Sequence, residues 1–163
     1  MAKAGDTLDQ TAGVALPSGA ADPLAPLKPL VLKSRVSLGG LGEVERAWAL
    51  AVAAMSLRTG ESIGEAEVNA RLKACLAEEG AFLATDHVEL RRWLVDTGWW
   101  VRDGFGRRYE RVPATALREA LKPMAEAIGD MDLPAWIACH RQAQQAERER
   151  RRQAHASAAP RTP

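Results

Sequence analysis

The sequence predicts a mainly α-helical fold with one small β-hairpin. Three observations carry that prediction. Apolar residues recur at helical spacing in three successive stretches between Leu41 and Gly98. Two aromatic and β-branched runs, Trp99 to Arg102 and Arg107 to Val112, flank a glycine-rich turn. After Pro113 the spacing is helical again.

The chain has 163 residues, room for one domain of ordinary size with tails. Hydrophobic residues make up 47% and charged residues 26%, a globular balance, and the net charge is +1. The total hides an uneven spread. Residues 41–84 sum to −3, whereas residues 140–163 sum to +4. Two cysteines cannot build a disulfide framework and point to a reducing, cytoplasmic setting. The longest apolar run, Ala47 to Met55, is far short of a bilayer span, and the first residues lack a signal-peptide pattern. Composition therefore argues against a secreted miniprotein, a membrane protein and a large multi-domain enzyme.

The first forty residues read as a disordered tail. Pro17, Pro23, Pro26 and Pro29 interrupt any helix, and Gly5, Gly13 and Gly19 add freedom. Leu30, Val31 and Leu32 form a short apolar patch, either a docking segment or a first strand. Gly39-Gly40 marks a boundary.

A first helix is predicted from about Leu41 to Leu57, with Val44, Trp48, Ala51, Val52 and Met55 at helical spacing and alanine filling the rest. A second follows Ser62, where Ser62 and Glu65 spell a capping box and Gly64 is a competing start. Its apolar face is Val68, Leu72, Cys75 and Leu76, and Gly80 ends it. A third begins at Asp86, with Glu89 three residues on and Thr85 as an alternative cap. Leu90, Trp93, Leu94 and Thr97 share one face, Arg92 and Asp96 pair four apart on another, and Gly98 is the expected C-terminal stop.

The hairpin comes next, with Asp103-Gly104-Phe105-Gly106 as its turn. Strand alternation puts Trp99 and Trp100 on opposite faces, which leaves one of them exposed. Beyond Pro113, Leu117, Leu121 and Met124 suggest a helix disturbed at Pro123. Asp132-Leu133-Pro134 reads as a cap with proline in the first turn of a last helix. That helix carries Trp136, Ile137 and His140, then an arginine-rich run with no apolar face, and it frays toward Ser157. The resulting division is a disordered tail at 1–40, a winged-helix-like domain at 41–112, a C-terminal helical extension at 113–153 and a disordered tail at 154–163.

Three helices followed by a two-stranded hairpin is the order of a winged helix-turn-helix. In that arrangement the third helix can enter a major groove about 12 Å wide while the hairpin lies along the phosphates. The candidate DNA-binding residues are His87, Arg91 and Arg92 on the helix, and Arg102, Arg107, Arg108 and Arg111 on the hairpin. Guanidinium suits the task because its forked donors are planar and always charged. Five acids offset the six arginines of residues 85–112, however. Adjacent residues sit about 100° apart on a helix, so Arg91 and Arg92 rarely do the same job. Glu67 and Asn69 are the next candidates, and a Glu67–Arg91 link would instead fix the crossing of the second and third helices.

The segments Glu65-Ala66-Glu67-Val68-Asn69, Asp86 through Asp96, Arg102-Asp103 and Gly106 through Tyr109 resemble a prokaryotic family, domain of unknown function 2087 (DUF2087). The resemblance spans about residues 61–112 and implies a bacterial, transcription-related domain with no established activity. This chain has extra residues between Leu72 and Asp86 relative to shorter members of that family.

Other chemistry is weakly represented. Cys75, His87, Cys139 and His140 lack metal-ligand spacing, and no phosphate-cradling glycine motif or nucleophile turn is present. No cofactor and no enzymatic activity are expected. The leading expectation is a small regulator that binds duplex DNA, with a homodimer formed through the C-terminal helix around Trp136 and Ile137. The rival is a protein-docking module anchored by Trp99 or Trp100.

Overall fold

The computed structural model describes residues 22–129 and 131–158. Its helices are α1 (Lys28–Val31), α2 (Glu43–Ala54), α3 (Glu65–Ala77), α4 (His87–Asp96), α5 (Lys122–Gly129) and α6 (Leu133–Ala158). Three short strands, β1 (Ser62–Gly64), β2 (Trp100–Arg102) and β3 (Arg108–Arg111), form one antiparallel sheet in the order β1-β3-β2. The fold is thus mainly helical with a small sheet, and its order is consistent with a winged helix.

The alanine-rich α2 lies at the centre. Ala49 through Ala54 are all fully buried, because methyl side chains let α3, α4 and α5 approach from several sides. Glu45 accepts from the Gly42 backbone N–H at 3.3 Å at the start of this helix. The Trp100 indole donates to the Ala54 carbonyl at 3.2 Å, which ties the sheet to the other end of α2.

The third strand is an addition to the expected hairpin. Ser62 does not cap α3; it pairs with Glu110 across the sheet, and Gly64 takes the N-cap position instead. A strand of three residues ending in glycine carries too little pattern to be told from a helix start.

The expected tail at 1–40 needs correction for the part the structure covers. Residues 1–21 lie outside the described residues. From residue 22 onward the chain folds onto the core, with Leu24, Leu27 and Leu30 fully buried. The physical reason is a three-residue repeat. Each leucine follows a proline, and the turns close by i to i+3 bonds, Leu27 N to Leu24 O at 2.9 Å and Leu30 N to Leu27 O at 3.0 Å. Three residues per turn align all three leucines on one side. Val31 therefore sits in a helical turn, not in a strand. Farther on, Val36 bridges to Leu83, with Val36 N to Phe82 O at 2.7 Å and Ala84 N to Val36 O at 2.8 Å. The long connection between α3 and α4 is where this N-terminal segment docks.

The C-terminal half is equally integrated. Leu117, Leu121, Met124, Ile128, Leu133, Trp136 and Ile137 belong to the same buried cluster as α2. Pro123 does not disturb a helix; it sits in the first turn of α5, where a missing N–H costs nothing. Asp132 caps α6 by accepting from Ala135 N at 3.1 Å. This helix continues through Ala158, past the expected end at 153, and residues 159–163 lie outside the described residues. Trp136 and Ile137, expected to mediate dimerisation, are 6% and 2% exposed in the protein's own core, so they present no free apolar face. No described helix is long and apolar enough to cross a membrane.

Candidate nucleic-acid interface

The helix that leads into the hairpin, α4, is set by its ends. The Asp86 carboxylate accepts from Val88 N and Glu89 N, both at 2.8 Å, and these backbone bonds hold its carboxyl below the usual range. Gly98 closes the helix with φ +84°. Leu90 and Leu94 point inward and are fully buried, which leaves Val88, Glu89, Arg92 and Asp96 exposed. His87 is half-buried at the N-terminus.

The two adjacent arginines separate as their angular offset requires. Arg92 is exposed and makes no ion pair among the described residues, so the expected Arg92–Asp96 pair does not form. Arg91 is turned toward α3. Its Nη1 donates to Glu65 Oε1 and to Asn69 Oδ1, both at 2.8 Å, and the side chain is only 14% exposed. Its guanidinium also lies 5.5 Å from the Tyr109 ring centre. Arg91, expected from the sequence to contact DNA, is therefore committed to the α3–α4 junction. Its partners are Glu65 and Asn69, not Glu67, which pairs with Arg71 one turn along at 2.9 Å.

The hairpin arginines divide in the same way. Arg111 bonds Thr59 Oγ1 at 2.6 Å and Met55 Sδ at 2.9 Å, and burial pushes its guanidinium pKa down. Arg108 is exposed but donates to the carbonyl and hydroxyl of Ser62 across the sheet. Both pin β3, the central strand, to its neighbours. Arg102 and Arg107 are exposed, and neither guanidinium has a hydrogen-bond partner among the described residues.

The hairpin turn is internally braced. Asp103 Oδ1 accepts from Arg107 N at 2.6 Å and Arg108 N at 3.1 Å. The Arg108 backbone N–H, followed by those of Arg107 and Gly106, holds the Asp103 carboxyl low. Gly106 supplies the left-handed residue, φ +70°, and the Arg102 guanidinium lies over it. At the tip Phe105 is 86% exposed. The sequence pattern marks it only as a turn residue, although a phenylalanine between two glycines of a tight turn has no route to a core.

A cleft of about 280 Å³ separates α4 from the hairpin, lined by Val88, Arg91, Arg92, Val95, Asp96, Arg102 and Tyr109. Arg92 and Arg102 flank it from the two elements. The tandem tryptophans contribute nothing to this face: Trp99 and Trp100 are each 1% exposed. The alternation expected of them fails because β2 starts at Trp100. Trp99 still lies in the turn out of α4, with its N–H on Leu94 O at 3.0 Å, and packs into the core.

Residues 43–111 match the family described as an uncharacterized protein conserved in bacteria (DUF2087). The match runs from the first residue of α2 to the last of β3 and extends the resemblance seen in the sequence back through α2. No curated protein and no solved structure matches the chain.

Proposed function

We propose that the DUF2087 segment of this chain is a DNA-binding winged helix, and that the protein acts as a bacterial transcriptional regulator. The observation that carries the reading is the set of three exposed arginines without side-chain partners among the described residues, Arg92 on α4 and Arg102 and Arg107 on the hairpin. An arginine without an internal partner is available to phosphate, and elements flanking one cleft can reach one duplex. Arg92 would meet the groove, and Arg102 and Arg107 the backbone beside it. His87, at the start of α4, stands where recognition helices present residues to base edges. The protein-docking alternative loses its proposed anchors, since both Trp99 and Trp100 are buried.

The test is fluorescence anisotropy of the full chain with a labelled random-sequence duplex over a series of salt concentrations. Phosphate binding predicts affinity that falls steeply with salt. The double variant R102A/R107A should flatten the log–log slope by about 0.9 for each phosphate that it no longer neutralises. Absence of binding at low salt, or a slope that the double variant leaves unchanged, would overturn the reading.

A further inference from the structure

Phe105 is more exposed than any other large hydrophobic residue among those described, at 86%. The inner face of the hairpin is already filled by Trp100 and Tyr109, so nothing in the fold draws this ring inward. The braced turn holds it outward instead, through the two backbone bonds to Asp103 and the left-handed Gly106. Its surroundings are cationic. Residues 101–109 carry Arg102, Arg107 and Arg108 against one acid, and that acid, Asp103, spends its carboxylate on the turn. An apolar ring flanked in sequence by two unpaired guanidinium groups, Arg102 and Arg107, complements a base step between two phosphate rails. The minor groove, about 6 Å wide, excludes a two-stranded ribbon but admits one ring.

We propose that Phe105 is a wedge that enters the minor groove and inserts between adjacent base pairs, with Arg102 and Arg107 on the flanking phosphates. This rests on the reading of the hairpin as a DNA-contacting wing. A flexible pyrimidine–purine step is the most easily opened target.

The test uses the full chain and a duplex with 2-aminopurine at a central TA step. Binding of the native protein should raise 2-aminopurine fluorescence as the base unstacks. F105A should bind roughly tenfold more weakly, keep the native salt slope and give no rise. F105L should retain part of the rise. R107A should do the reverse, lowering the slope while keeping the rise. Phe105 touches no core residue, so the thermal midpoint of F105A should equal that of the native chain. If F105A binds and unstacks the duplex as the native protein does, the wedge is wrong while DNA binding stands. That is also the result expected of a ring serving a protein partner. If the native chain binds no duplex at low salt, both proposals fall.

Discussion

Arg91 on α4 donates to Asn69 on α3 at 2.8 Å, and the same Nη1 reaches Glu65 at 2.8 Å. One guanidinium thus holds two helices at their crossing, with the Tyr109 ring beside it. The angle between α3 and α4 decides where the exposed face of α4 points. Arg91 therefore shapes the candidate interface without being available to a ligand.

Replacing Arg91 with alanine should lower stability by about 2 kcal/mol, since it deletes charge-assisted bonds and leaves Asn69 without its partner. Urea unfolding measures this. A native midpoint together with weakened DNA binding would show that Arg91 contacts DNA and not its neighbours.

Trp100 makes a comparable link at the C-terminal end of α2, through its bond to the Ala54 carbonyl. Trp100→Phe removes that donor and some core volume, and should cost about 2 kcal/mol. Denaturant titration followed by circular dichroism is suitable, because it does not rely on tryptophan emission. A cost near zero would return Trp100 to the surface and revive the docking reading.

What the sequence made legible was local. Asp86 and Gly98 bracket α4 because a cap and a left-handed stop act within one turn of chain. Gly106 marks the hairpin turn for the same reason. Contacts between distant residues were legible only in outline. A link from Arg91 to the preceding helix follows from the charges, but its partners, Glu65 and Asn69 and not Glu67, depend on a helix crossing that no short pattern encodes. Arg108 and Arg111 looked identical to Arg102 and Arg107 until β1 and Thr59 came to lie against them. The leucines of residues 24–30 were masked by the prolines between them, which also set the three-residue turn that aligns them.

The two cysteines should react very differently. Burial, with Glu79 nearby, pushes the Cys75 thiol up to about 12, whereas Cys139 is exposed. A disulfide reagent at pH 8 should label one thiol quickly in the native protein and two after denaturation. Unfolding lets Cys75 ionise near its ordinary value of about 8.5, so this thiol makes stability decline as pH climbs above that value. Cys75→Ala should remove that part of the decline. Fast labelling of two native thiols would contradict the burial of Cys75.

Asp86 imposes the opposite pH dependence. Its carboxyl is held low by the backbone N–H groups of Glu89 and Val88. The stabilisation it gives α4 is complete above the ordinary aspartate value of about 3.9 and is lost as pH falls through the lower folded value. Asp86→Asn keeps a capping oxygen but cannot titrate there. It should therefore stay close to native stability at about pH 7 and show a shallower loss between about pH 5 and 2. Equal acid slopes in the two proteins would mean that this cap does not drive acid unfolding.

Gly98 and Gly104 offer a matched pair for the exit of α4 and the hairpin tip. Gly98 has φ +84° and donates to Val95 O at 3.1 Å, so a methyl group there strains the backbone that turns α4 into β2. Gly104 lacks a positive φ, and an added methyl would meet nothing within 4 Å. Gly98→Ala should cost about 1 kcal/mol, and Gly104→Ala should fall within about 0.5 kcal/mol of native. The strain at Gly98 acts on the axis of α4, so Gly98→Ala should also weaken duplex binding if α4 is the helix that enters the groove. Gly104→Ala should leave it unchanged. Equal urea midpoints for the two variants would mean that α4 does not end in the left-handed turn that sets its junction with the sheet.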